Sequence, residues 1–110
     1  MQLPNHDDIL RAIEDRRLVR VHFYSKEDGG VLLVRECAPM DFAPGKKVHD
    51  PTPRYHFWDF DSDSGKPHPL SLPAMQIESV EVLDLEFDPE TFVAWTTTWA
   101  VPRTTWGRVN

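Results

Sequence analysis

The apolar positions change period at Leu18. Before it, in "PNHDDILRAIEDRR", Ile9, Leu10 and Ile13 recur at helical spacing and form a narrow apolar stripe. Asn5 precedes them as N-cap and Asp7 and Asp8 sit in the first turn, where their charge favours the helix dipole. These features predict a short N-terminal helix. After it, in "LVRVHFY", Val19, Val21 and Phe23 alternate with Arg20, His22 and Tyr24, the period of a half-buried strand. Asp28-Gly29-Gly30 supplies the positive-φ residues a hairpin needs, and "VLLVREC" is the return strand.

The segment 38–53, "APMDFAPGKKVHDPTP", is crowded with proline and is expected to be an irregular loop. "RYHFWDFD" predicts a third strand, "KPHPLSL" a proline-broken fourth at an edge, "PAMQ" a single turn, and "IESVEVLDLEF" a long fifth strand. Asp88-Pro89-Glu90 is a helix-start signal, with Asp88 as N-cap and Pro89 in the first turn, so a short C-terminal helix burying Phe92, Val93 and Trp95 is expected. The tail "TTTWAVPRTTWGRVN" is too rich in threonine and proline for a helix and is expected to be extended. No helix-length crossover separates the strands. The predicted fold is therefore mainly β (α+β), a small antiparallel β-barrel of about five strands with a helix at each end. Residues 1–95 would form the single domain, and 96–110 a tail packed on the barrel or on a partner.

Composition narrows the function classes. A chain of 110 residues with 40% hydrophobic content supports one modest core. The single cysteine, Cys37, excludes an internal disulfide and reads as a buried structural thiol. No charged leader with an apolar run precedes the first helix pattern, and the apolar runs are too short to span a bilayer, so a cytoplasmic protein without membrane contact is expected. The net charge of −6 argues against a phosphate-backbone footprint, and the basic patches at Arg16-Arg17-Arg20 and Lys46-Lys47 read as solvated surface.

The order of signals resembles the WYL domain family over roughly residues 8 to 90. The resemblance rests on "ILRAIEDRRLVRVHFY", the Arg-containing strand "VREC" leading to Pro39, the aromatic strand "YHFWDFD", then "PLSL" and "IESVEVLDLEF", with Tyr55, His56 and Phe57 at the positions of the Trp-Tyr-Leu triplet. It implies an SH3- or Sm-like barrel, here as a stand-alone, divergent member, acting as a ligand- or nucleic-acid-sensing regulatory module. The family's basic residues after the aromatic strand have no counterpart in "HPLSLPAMQI", which carries His68 and no arginine, so the family's grip on an anion is not carried over.

Candidate chemistry concentrates in "PRYHFWDFDSDSGKP". Asp59, Asp61 and Asp63 at alternate positions suggest a calcium loop, but counting from Asp59 the sixth position is Ser64 rather than glycine and the twelfth is Leu70 rather than glutamate. Asp61, Asp63, Ser64 and Gly65 read instead as a hairpin turn. Along the strand Tyr55, Phe57 and Asp59 point one way and His56, Trp58 and Phe60 the other. One set fills the core, and the other either packs under a neighbouring segment or floors a groove where a flat ligand stacks. The expected ligand lining is Arg35, Tyr55, Trp58, Phe60 and His68, for a small ligand or single-stranded nucleic acid. Trp95, Trp99 and Trp106 are either a strap over the barrel or an interface through which the chain self-associates. The five histidines lack zinc spacing, and no nucleophile motif or phosphate-cradling loop is present, so neither metal, cofactor nor catalysis is expected.

Overall fold

The computed structural model describes residues 1–45, 49–60 and 65–110. The chain runs α1 (His6–Asp15), β1 (Arg17–Ser25), β2 (Val31–Pro44), β3 (Pro53–Asp59), β4 (His68–Leu72) and β5 (Ile77–Glu86), with 3-10 turns at Ala74–Gln76, Pro89–Thr91 and Gly107–Val109. The fold is mainly β, with five antiparallel strands in one sheet ordered β4-β3-β2-β1-β5. No helix among the described residues is long and apolar enough to cross a membrane.

The strands do not close into the expected barrel. β4 and β5 stand at the two edges of the ladder, joined through the Ala74–Gln76 turn. β4 is only five residues long and carries Pro69, which has no N–H to give to a further strand. The inward side chains of all five strands nevertheless meet in one cluster, with Val19, Val21, Phe23, Cys37, Phe57, Leu72 and Val80 each at most 5% exposed.

The helix begins where the acidic first turn predicts, but Asn5 does not cap it. Its side-chain amide instead donates to the Val80 carbonyl at 2.7 Å, tying the helix start to β5. The helix ends at Arg16, which adopts φ +54° and turns its N–H back to the Ala12 and Ile13 carbonyls, so that β1 starts at the next residue. An L-residue in this region costs roughly 1–2 kcal/mol. Ile9 and Ala12 enter the sheet cluster, whereas Ile13 faces a second one.

That second cluster exists because the segment expected to be a loop is a strand. β2 continues through Pro39 to Pro44, pairing with β3 on one side only, since its pairing with β1 reaches no further than Cys37 opposite Val19. From Ala38 onward β2 is thus an edge, and an edge tolerates proline. A register shift between Pro39 and Asp41 inserts Met40 as an extra residue, and Cys37 through Met40 are buried in succession rather than alternately.

The helix expected after Asp88 is a single 3-10 turn. Asp88 accepts the Glu90 N–H at 3.0 Å and Pro89 occupies the first turn, as the start signal requires, but the chain leaves the helix at Phe92. The β-branched and aromatic run that follows does not sustain it. The rest of the tail is largely irregular and packs Trp99, Val101, Trp106 and Val109 against Ile13, Ala38, Met40 and Phe87.

Gly29 and Gly30 take the positive φ expected of the β1–β2 turn, +73° and +84°. Gly65 has φ +76°, while the other predicted turn residues Asp61, Asp63 and Ser64, and the Lys46-Lys47 patch, lie outside the described residues.

Candidate functional site

β3 has two working faces. Its inward residues Tyr55, Phe57 and Asp59 are at most 2% exposed. Tyr55 is committed to the core: its hydroxyl accepts the Leu3 N–H at 2.9 Å and lies 2.7 Å from His6 Nδ1. Burial raises the phenol pKa above its ordinary value, partly offset by the Leu3 bond. Tyr55 is therefore placed to hold the N-terminal segment.

The outward residues build a groove. Trp58 stacks on Phe92 with ring centres 5.2 Å apart and lies 5.8 Å from Trp95, which meets Trp99 edge-on at 6.3 Å. Together with Met40 and His56 these rings line a groove of about 860 Å³, walled by Pro44 and Pro69. Phe60, 40% exposed, sits edge-on to Phe92 at 5.5 Å and lines neither this groove nor the cavity described below.

The polar groups of the groove are largely fixed. His56 Nε2 donates to the Ala43 carbonyl at 2.8 Å, and its Nδ1 lies 2.9 Å from the Ser71 hydroxyl. Both ring nitrogens are engaged within the chain, which fixes His56 as part of the groove wall. The Asp41 carboxylate accepts the N–H groups of Ala100 and Val101 and lies 3.7 Å from the buried guanidinium of Arg103. Arg103 is stacked 4.3 Å and 4.4 Å from the ring centres of Trp99 and Trp106. Burial pushes its pKa down to about 10, against the pull of Asp41 and Glu14, and it stays a cation at neutral pH.

The indoles differ in what remains free. Trp99 Nε1 donates to the Val109 carbonyl and Trp106 Nε1 to the Ile13 carbonyl, both at 2.8 Å. Neither Trp58 nor Trp95, both lining the groove, gives its indole N–H to any acceptor among the described residues.

A second cavity of about 590 Å³ lies on the other side of β4, bounded by Arg35, Asp59, His68, Phe23 and Leu33. Arg35 Nε is 3.7 Å from Asp59 Oδ2, the side chains 12% and 3% exposed. Arg54, Pro69 and Ser71 border both spaces, which makes β4 the wall between them.

The five residues expected to share one lining are thus divided. Arg35 and His68 both line the second cavity, Trp58 stands in the groove, Tyr55 lies in the core and Phe60 beside Phe92. Of the three C-terminal tryptophans, Trp106 is 1% exposed inside its own chain and Trp95 is 40% exposed. Met40, His56 and Phe92 complete the groove and were not foreseen as lining. The outward alternation of His56 with Trp58 was the one signal that could have found any of them. Among the described residues no group of three or more His, Cys, Asp or Glu side chains is placed to hold a metal ion, and Cys37 is buried. No family model, curated protein or solved structure is similar enough to this chain to match it.

Proposed function

We propose that the chain is a non-catalytic binding module of the regulatory kind that the WYL resemblance implies, and that its ligand lies in the outer groove. One observation carries this: Trp58, Phe92, Trp95 and Trp99, drawn from a strand and an irregular segment distant in sequence, converge on a single apolar groove of about 860 Å³. A sizeable apolar concavity with a few fixed polar groups is the usual form of a ligand site. Self-association through the C-terminal tryptophans draws less support, because Trp106 and the indole N–H of Trp99 are already engaged within the chain.

The test is a titration with anilinonaphthalene sulfonate, an apolar fluorescent probe, on the protein and on Trp95→Ala. The exposure of Trp95 makes that variant mild for folding. One saturable site that is lost in Trp95→Ala, with an unchanged circular dichroism spectrum, supports the groove. Absence of saturable binding, or binding indifferent to the variant, overturns it.

A further inference from the structure

We infer that the outer groove takes a small molecule with a trimethylammonium head and an apolar body, the head seated in the corner between Trp95 and Trp99; this rests on the groove being the binding site. The chain already holds one cation in this way. The guanidinium carbon of Arg103 lies 4.3 Å from the ring centre of Trp99 and 4.4 Å from that of Trp106, two indoles 5.3 Å apart and crossed at 72°. Trp99 makes a second such corner with Trp95, crossed at 73° with ring centres 6.3 Å apart. Both rings of this corner line the groove, Trp95 is 40% exposed, and no cationic side chain among the described residues lies over Trp95.

Indole faces attract a cation through the ring quadrupole, most strongly where water is excluded. The wider spacing of the second corner suits a bulkier head than a planar guanidinium. The walls themselves supply little net charge. Asp41 and Arg54 are of opposite sign: Arg54 reaches the Ser71 carbonyl at 3.4 Å, and Asp41 accepts the N–H of Ala100, the neighbour of Trp99. The ring faces therefore set the preference. Such walls do little to offset the dehydration of a compact primary ammonium, which is strongly hydrated. A quaternary ammonium is covered by methyl groups and has no N–H to leave unpaired, so the indoles can hold it without a hydrogen-bond acceptor.

The rest of the groove fixes the body of the ligand. Met40, Ala43, Pro44 and Pro69 continue the apolar lining beyond the tryptophans, and exposed Thr98 adds a hydroxyl. The volume of about 860 Å³ far exceeds a trimethylammonium group and falls within the roughly 300–1,000 Å³ of small-molecule sites.

The experiment titrates the full chain with two matched pairs and with anilinonaphthalene sulfonate. Butyrylcholine and its neutral isostere, with a tert-butyl group in place of trimethylammonium, share a shape and differ in charge. Hexyltrimethylammonium and hexylammonium share a charge and differ in the methyl groups. The expected result is saturable butyrylcholine binding, about five- to thirtyfold tighter than the isostere, with hexyltrimethylammonium tighter than hexylammonium. Trp95→Leu keeps an apolar wall and removes the ring face, so the preference for butyrylcholine should shrink to about twofold or less with an unchanged circular dichroism spectrum. Trp95→Phe keeps a face and should retain part of the preference. Equal binding within either pair, or a charge preference that Trp95→Leu leaves intact, overturns the inference, and saturable dye binding then leaves the groove standing. A trimethyllysine peptide or phosphatidylcholine vesicles bound more tightly than butyrylcholine overturn the small-molecule occupant. Failure of the dye and of all four ligands overturns the groove itself.

Discussion

Val19, Val21 and Phe23 reach the sheet core on alternate residues of one strand, whereas Trp99, Trp106 and Val109 reach the second core from a segment whose one regular element is the Gly107–Val109 turn. In the sheet, ladder hydrogen bonds satisfy the backbone and leave side chains free to pack. In the C-terminal tail, side chains do much of the satisfying. Asp41 accepts from Ala100 and Val101, Glu14 from the Thr104 N–H and hydroxyl, and Asn110 from the Trp106 N–H. The two tryptophans return the favour by donating to carbonyls at Val109 and Ile13. An irregular segment can thus bury single side chains, such as Trp106 and Val109, as fully as a strand does, provided that each backbone group removed from water with them finds a partner.

The sharpest way to break this contrast is to delete residues 96–110. The deletion removes Trp99, Val101, Trp106 and Val109 from a cluster shared with α1 and β2. Each buried large apolar side chain is worth about 1.5–3 kcal/mol, and a whole domain is stable by roughly 5–15 kcal/mol. The truncated chain should lose its cooperative thermal transition by circular dichroism. A monomer that still melts cooperatively would mean that the sheet half folds by itself and that the tail is an appendage.

Next in size is Asp41→Ala. It strands the two N–H groups and leaves the Arg103 guanidinium, whose side chain is 1% exposed, without its carboxylate. Removing one partner of a buried pair costs about 3–5 kcal/mol. Arg103→Met should cost less than Asp41→Ala, since it also removes the burden of a buried charge and leaves Asp41 its backbone donors, although the Val101 carbonyl loses the guanidinium that donates to it. Urea denaturation of the two variants measures the asymmetry. Equal losses would show that the cation, not the backbone anchoring, holds the tail.

The same contrast explains what the sequence disclosed. The helix, the five strands, the Gly29-Gly30 turn and the opposed faces of β3 follow from local periodicity and turn chemistry, which leave marks within a few residues. The second half of β2 left no such mark, because two prolines there argue against a strand unless one knows that β1 ends opposite Cys37 and frees that edge. The groove was half legible. Trp58 could be assigned to an outward face, but its neighbours Phe92, Trp95 and Trp99 arrive by contacts over more than thirty residues of chain, set by carboxylates such as Asp41 whose role no local pattern announces. Arg35 and His68 were expected to share a lining with Trp58, but they line a different space, and β4 borders both.

Within the sheet half the corresponding polar anchor is Tyr55, and Tyr55→Phe compares it with Asp41. The substitution keeps the ring and deprives the buried Leu3 N–H and His6 Nδ1 of their partner. A loss of roughly 1–3 kcal/mol is expected by denaturation, with faster hydrogen exchange at the Leu3 amide. An unchanged exchange rate would show that the N-terminal segment is held by packing alone.

The smallest effect belongs to Glu14, and pH exposes it. Hydrogen bonds from the Thr104 side chain and backbone lower its pKa below the ordinary 4.5 against a desolvation that raises it, with smaller bonds from Thr105 adding to the lowering. A carboxylate whose pKa is depressed on folding binds fewer protons folded than unfolded. Its stabilisation is therefore present above the unfolded pKa of 4.5 and is lost as the pH falls through the folded value. In Glu14→Gln the melting temperature should fall slightly at pH 7, and its acid dependence below about pH 5 should flatten by the contribution of this one group. The two proteins should then converge at low pH, where the wild-type carboxyl is protonated as well. A variant whose melting curve stays parallel to the wild type across that range would show that the grip on Thr104 does not depend on charge.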